Sequence, residues 1–135
     1  PIVDAGLEEL VEMDAKLTPE IRLTPTAGHS PGHVSVVIES KGEKAIITGD
    51  IMHHPSQLAY PKWDVIFDSD AEQATSTRQG FLEEHVGSDT LIIGTHFASP
   101  TAGYIVPDGD GYRLSNEVNN RERPQDIPSN IPHSG

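Results

Sequence analysis

The stretch Thr26-Ala27-Gly28-His29-Ser30-Pro31-Gly32-His33 decides how this chain is organised, because it joins two predicted strands through a glycine-rich turn that carries two histidines. Pro31 and Gly32 disfavour a helix here, so a loop must hold both imidazoles. Two further short segments, Thr48-Gly49-Asp50 and Gly94-Thr95-His96, also place a metal-capable side chain where an apolar run ends in a turn. We call these two segments and the stretch 26–33 the three islands, numbered in chain order. Strand ends of an open sheet collect along one edge, where ligands bind. The pattern therefore predicts a metal site at that edge.

Each island also has a simpler interpretation. A histidine in a turn can bond to the backbone, and an acid after Gly49 is common wherever a strand stops. His96 follows a predicted buried strand and precedes Phe97, so it can be a hydrogen-bonded core histidine. The metal hypothesis depends on all three islands occurring together at strand ends.

Composition narrows the class of protein. The chain has 135 residues, with 21 acidic against 9 basic side chains and a net charge of −12. This length fits one modest domain or a piece of a larger one. An acidic surface repels phosphate backbones and anionic membranes, so we expect neither nucleic acid nor a membrane as a partner. The opening Pro1-Ile2-Val3-Asp4 does not resemble a signal peptide. The compartment stays open, with the cytoplasm favoured.

The absence of cysteine limits the available chemistry. It excludes a disulfide scaffold, a thiolate zinc ligand and a cysteine nucleophile. Any metal in this chain must therefore rely on histidine and carboxylate ligands.

Hydrophobic patterning predicts a mixture of strands and helices. The β-branched residues Val34, Val36 and Val37 favour a strand that forms a hairpin with the next one, so the first two islands flank one hairpin. Ser69 and Glu72 are spaced as a capping box for the clearest helix. The predicted strands are residues 21–26, 33–40, 44–48, 90–94, 104–106 and 112–114, and the predicted helices are residues 5–14, capped by Asp4, and 70–86. The long connection 51–69 reads as a functional or lid-like loop.

The residues of the three islands and their order along the chain resemble the C-terminal half of the metallo-β-lactamase fold hydrolases. The resemblance covers roughly residues 20–114. The stretches Gly49–Pro55 and Phe67–Asp70, running into Ala74 and Arg78, look most like the branch of lactonases and methyl parathion hydrolase. The resemblance implies an α/β fold, namely the C-terminal half of a four-layer αββα sandwich with a mostly antiparallel or mixed sheet and flanking helices. Residues 1–115 would form this half-domain and residues 116–135 an extended tail.

The resemblance also implies roles for individual residues. His29 would bind a first metal, Asp50 would bridge two metals, and His96 would bind the second. His53 falls where lactonase-like members place a substrate-facing side chain, so Asp50 and His53 are the candidate catalytic residues. His33 would brace the loop rather than bind metal.

The family motif His-x-His-x-Asp-His, which normally supplies the other ligands, does not occur in these 135 residues. The expected function is hydrolysis of a small ester, lactone or related substrate by an enzyme of which this chain supplies half the site, with two zinc ions and with iron or manganese as alternatives. The expected partners are the small-molecule substrate and either the N-terminal half of the same domain or another copy of the chain. Two alternatives stay open: a non-catalytic fragment or assembly module, and an iron-dependent oxidoreductase of the same superfamily.

Overall fold

Within residues 1–117, which the computed structural model describes, six strands form one mixed sheet in the order in which they occur along the chain. The pair β3 and β4 is parallel, and the other neighbouring pairs are antiparallel. The strands are β1 (Ile21–Pro25), β2 (Val34–Ser40), β3 (Glu43–Ile47), β4 (Thr90–Ile93), β5 (Ala102–Asp108) and β6 (Gly111–Ser115). Each of the six predicted strands is present, with bounds that differ by a few residues.

The parallel pairing of β3 with β4 determines where the site lies. Parallel neighbours need a long crossover connection, and residues 48–89 supply it through a short helix α1 (Ser56–Ala59) and a long helix α2 (Ala71–His85). The carboxyl ends of β3 and β4 therefore meet at one edge of the sheet. Because β2 is antiparallel to β3, the turn before β2 reaches the same edge. All three islands of the sequence consequently converge there.

Helix α2 begins one residue later than the capping-box prediction requires. The carboxylate of Asp70, not the Ser69 hydroxyl, caps the helix by accepting the Gln73 backbone N–H at 2.9 Å. The backbone N–H of Ser69 donates to His29 O, which holds this segment against the first island. Asp is as effective an N-cap as Ser. The helix can therefore begin after Asp70, one residue beyond the Ser69 contact with His29.

The core lies between one face of the sheet and α2. Alternate residues of the central strands point to this face and are buried, as are the helix side chains that cover them. Its members include Val37, Ile46, Ile92, Ile105, Phe81 and Leu82. The sequence predicts Ala71, Ala74, Phe81 and Leu82 on the apolar side of α2; the last three are buried, whereas Ala71, in the first turn, is exposed. Burial of a leucine-sized side chain contributes about 1.5–3 kcal/mol.

The opposite face of the sheet is also apolar. Val36, Ile47 and Ile93 lie side by side across β2, β3 and β4, and each is only partly buried. The sheet therefore presents a second apolar surface.

The predicted helix over residues 5–14 is wrong. A single 3-10 turn, Val3–Ala5, is present instead, and Asp4 lies inside this turn rather than capping a helix. Leu7 and Leu10 are 77% and 96% exposed, so the apolar side of the pattern has no surface to pack against. A helix of this length is marginal without such packing. The predicted tail lies outside the described residues, except for Asn116 and Glu117, which are in neither helix nor strand.

Across residues 1–117, no helix combines the length and the apolar character that a bilayer crossing requires.

The long crossover between β3 and β4 is held by the buried side chain of Arg78, which reaches from α2 into the 51–63 loop. Its guanidinium donates to the carbonyl oxygens of Ile51, Pro61 and Trp63 at 3.1, 2.7 and 2.9 Å. This contact fixes the loop that follows Asp50.

Candidate metal centre

Asp50 lies between two imidazoles at the sheet edge. Its Oδ1 is 2.8 Å from His96 Nε2, and its Oδ2 is 3.3 Å from His29 Nε2. The three residues predicted as ligands are thus brought together, although 46 positions separate Asp50 from His96. Their role as metal ligands stays a prediction.

The electrostatics of Asp50 favour the carboxylate form. Burial alone raises the pKa of this carboxyl, but the hydrogen bond from His96 and the charges of the His96, His29 and His53 rings outweigh burial. The pKa of Asp50 therefore lies below its ordinary value. A metal ligand must be deprotonated, so this shift suits the residue for binding a cation.

His29 is held from behind by a second carboxylate. Its Nδ1 lies 3.1 Å from Asp68 Oδ1, and since a carboxylate can only accept, Nδ1 carries the proton. A neutral His29 then presents the lone pair of Nε2 to Asp50 Oδ2. His29 Nε2 and Asp50 Oδ2 would then both be acceptors at 3.3 Å, and two acceptors repel each other. Their approach therefore requires either a second proton on the imidazole or a cation between the two atoms.

His33 braces the Asp50 backbone and does not face the site. Its Nε2 accepts the Asp50 backbone N–H at 2.8 Å, so its Nδ1 is protonated and donates to Thr26 O at 2.9 Å. The Thr26 hydroxyl continues this chain to the buried Ser35, whose hydroxyl donates to Thr48 O. These bonds join the first two islands into one unit, in agreement with the bracing role expected for His33.

His53 completes the cluster. Its ring stacks on His96 with 4.7 Å between centroids and lies 5.1 Å from the ring of His29. Burial, then the charge of His96, lowers the pKa of His53, although Asp50 and Asp68 act in the opposite direction. The neutral imidazole is thus favoured at pH 7. His53, His29 and Asp50 also form a group whose ligand atoms all lie within 4.8 Å of one another.

His54, by contrast, points away. Its Nδ1 bonds to Ser56 in an exposed turn. The sequence assigns no role to Asp68, which stands 39 positions from His29 and lies within the stretch Phe67–Asp70 that resembles the lactonase branch. Pairing over such a distance leaves no local signal, because it arises from how the loop before α2 folds back onto the first island.

The donor set fits a borderline cation such as zinc. Imidazole nitrogens and carboxylate oxygens are its ligands, and an imidazole whose second nitrogen donates to a carboxylate is the usual arrangement around it. Ligand atoms bound tetrahedrally to one zinc at about 2.0–2.2 Å lie about 3.3 Å apart. The separation of His29 Nε2 from Asp50 Oδ2 is 3.3 Å. These residues are therefore spaced as ligands of a shared ion would be.

Solved structures of hydrolases share this fold. AidC, a dizinc quorum-quenching lactonase, superposes with a TM-score of 0.73 at 23% identity over 81% of this chain and 37% of that one, a likeness that shows the fold alone. The hydrolase AbOPH of the beta lactamase superfamily gives a TM-score of 0.68 at 26% identity over 75% of this chain and 35% of that one.

A third structure is that of an N-acyl homoserine lactone hydrolase with N-hexanoyl-L-homoserine bound at its catalytic metal centre. It gives a TM-score of 0.53 at 25% identity, over 68% of this chain and 36% of that one. The present chain thus spans little more than a third of the length of these proteins. Among curated proteins, none matches it.

The family model of the metallo-beta-lactamase superfamily matches residues 2–96, which include all three islands. The mixed α/β fold, matching part of the solved hydrolases, agrees with this result. Both the fold class and the family expected from the islands are confirmed. The chain belongs to the metallo-beta-lactamase superfamily.

Proposed function

We propose that this chain supplies the C-terminal half of the active site of a metal-dependent hydrolase that acts on a small ester, lactone or related substrate. The observation that carries the proposal is the Asp50 carboxylate, whose two oxygens face two different imidazoles at 2.8 and 3.3 Å. A carboxylate in this position can bridge two cations, one held by His29 and the other by His96. The lactone-hydrolysing activity named for a structure that is 25% identical supports the substrate class.

Two zinc ions are the proposed occupants, with iron or manganese as the alternatives. When bound, such ions lower the pKa of a shared water toward 7 and polarise the scissile carbonyl. His29 and His96 would each give an imidazole to one ion, and Asp50 would give its carboxylate to both. The remaining ligands would come from outside residues 1–117.

His53 is the proposed proton carrier for the leaving group. Its ring is packed between those of His29 and His96, and its Nδ1 is buried without a partner among residues 1–117. A proton exchanged with substrate would therefore pass through Nε2. A neutral imidazole, favoured here by burial, can accept or return that proton near pH 7.

The second apolar face of the sheet is the proposed docking surface for the rest of the domain. Val36, Ile47 and Ile93 form a continuous row on it and are only partly buried. Exposed apolar patches of this kind mark interaction surfaces. We expect the N-terminal half of the same domain to cover it, and another copy of the chain to do so if that half is missing.

The test is to measure bound zinc and hydrolysis of an aryl ester and an acyl lactone, using this chain alone and joined to an upstream half. The joined form should hold two ions and hydrolyse one substrate. His29→Ala and His96→Ala should each lose an ion and most of the activity. His54→Ala is the matched control, because it removes an exposed imidazole from the neighbouring turn and should change neither reading.

The alternatives predict different results when thermal stability with and without metal and the Asp50→Asn variant are measured as well. A non-catalytic module predicts that metal does not raise thermal stability and that Asp50→Asn is close to neutral. An iron-dependent oxidoreductase predicts that iron co-purifies in place of zinc and that neither the aryl ester nor the acyl lactone is hydrolysed. Either result would overturn the zinc hydrolase proposal.

A further inference from the structure

Asp68 is a buried acid that the proposed reaction does not use. Its side chain is only 2% exposed, and its Oδ1 accepts from His29 Nδ1 at 3.1 Å. Its Oδ2 has no hydrogen-bond partner among residues 1–117. Burial of an incompletely paired carboxylate opposes folding, so packing alone does not account for an acid at this position.

The backbone holds Asp68 in place against His29. The N–H groups of the next two residues, Ser69 and Asp70, donate to His29 O and Gly28 O at 3.0 Å each. The two segments are thus joined by main-chain bonds on either side of the side-chain contact. The ring and the carboxylate therefore meet through fixed backbones and not through flexible side chains.

Helix α2 tightens the same contact. The Thr77 hydroxyl donates to Ala27 O at 2.7 Å, and Gly28 lies so close to the helix that a Cβ there would be 2.4 Å from the Ala74 backbone. Only glycine permits this approach, and Gly28 also has a φ of 135°. The first island is thereby packed directly against α2, and the loop that precedes the helix lies beside it.

We propose that Asp68 is a positioning residue that holds His29 in the tautomer protonated at Nδ1 and so aims the Nε2 lone pair at Asp50. An imidazole binds a metal only through an unprotonated nitrogen, and the partner of the other nitrogen decides which one that is. Without Asp68, the ring is free to carry its proton on Nε2, where it blocks binding. The effect on metal affinity rests on the proposed function, but the effect on the tautomer does not.

The test uses Asp68→Asn, with Asp64→Asn as the matched control, in this chain joined to its upstream half. Both variants remove one negative charge from the same loop. Asp64 is exposed and accepts only the Thr75 hydroxyl in the described structure, a bond that asparagine can keep. At position 68 the asparagine amide can donate to Nδ1 and thereby stabilise the wrong tautomer.

Two readings are taken. The first is the tautomer of His29 in the metal-free wild type and in both variants, from long-range proton–nitrogen NMR spectra of histidine-labelled protein. The second is the affinity for Zn²⁺ in competition with a chelator. We expect His29 to be protonated at Nδ1 in the wild type and in Asp64→Asn. Asp68→Asn should shift the proton toward Nε2 and weaken Zn²⁺ binding about 10–100-fold.

Two results would overturn the proposal: a wild-type His29 whose Nδ1 carries no proton, or an Asp68→Asn protein whose Zn²⁺ affinity lies within twofold of Asp64→Asn. The wild-type spectrum needs no substitution, so a folding defect in the variant does not obstruct the test. If the wild type binds no Zn²⁺ at all, the proposed function fails, and the tautomer alone then decides the role of Asp68.

Discussion

Replacement of Gly49 by alanine tests how the first two islands are joined. Gly49 has a φ of 59°, and a Cβ on it would lie 2.6 Å from His33 Nε2. That nitrogen accepts the Asp50 backbone N–H at 2.8 Å. The methyl group must therefore displace the imidazole and break this bond.

The expected cost follows from two contributions. A non-glycine residue in the left-handed region costs about 1–2 kcal/mol. Loss of the partner of a part-buried N–H costs about 1–3 kcal/mol more. Gly49→Ala should therefore lower the free energy of unfolding by about 2–5 kcal/mol.

Gly109→Ala is the matched control. Gly109 has nearly the same φ, 57°, but a Cβ there meets nothing within 4 Å. It should cost only the backbone contribution, about 1–2 kcal/mol. Urea unfolding followed by circular dichroism measures both variants, and the double variant Gly49→Ala with His33→Ala measures the coupling. The reasoning is refuted if Gly49→Ala costs no more than Gly109→Ala, or if the Gly49 and His33 substitutions are simply additive.

Three further predictions concern stability, and urea unfolding measures each. Arg78→Met should lower the free energy of unfolding by at least about 3 kcal/mol, because it leaves three loop carbonyls unpaired. A loss below about 1 kcal/mol, on the order of one exposed hydrogen bond, would mean that Arg78 does not hold the loop. Leu82→Ala should cost about 2–5 kcal/mol, since this side chain is fully buried; a near-neutral result would mean that α2 does not cover the core. Burial lowers the pKa of His85 in the folded state although Glu84 opposes the shift, so the unfolded state binds the proton first and stability should fall as the pH drops below about 6.5. His85→Gln should reduce the loss of unfolding free energy between about pH 7 and 5, whereas the exposed control His54→Gln should not.

The strands could be predicted because their signals are local. β-branched runs such as Val34–Ser40 are bounded by turn residues, and Lys41 and Gly42 supply the positive φ angles that close the hairpin. The islands could be placed at one edge because strand ends of an open sheet gather there. Helix α2 could also be predicted, because the capping residues at its start are a local signal, although Asp70 and not Ser69 is the cap.

The remaining features depend on contacts between distant residues. The helix predicted around Leu7 and Leu10 had a correct local pattern, but it lacked a surface to pack against. The pairing of Asp68 with His29 and the Arg78 clamp on the loop carbonyls join segments that are far apart in the chain. Periodicity carries no information about such pairs, so only the folded chain shows them.

Whether His29, Asp50 and His96 share one metal centre can be measured with an anomalous difference map at the zinc edge. The crystal would contain this chain joined to its upstream half and loaded with zinc. We expect two peaks on either side of the Asp50 carboxylate, one at about 2.0–2.2 Å from His29 Nε2 and the other at the same distance from His96 Nε2. Peaks bound elsewhere, or an ion that takes His53 in place of His96, would contradict it.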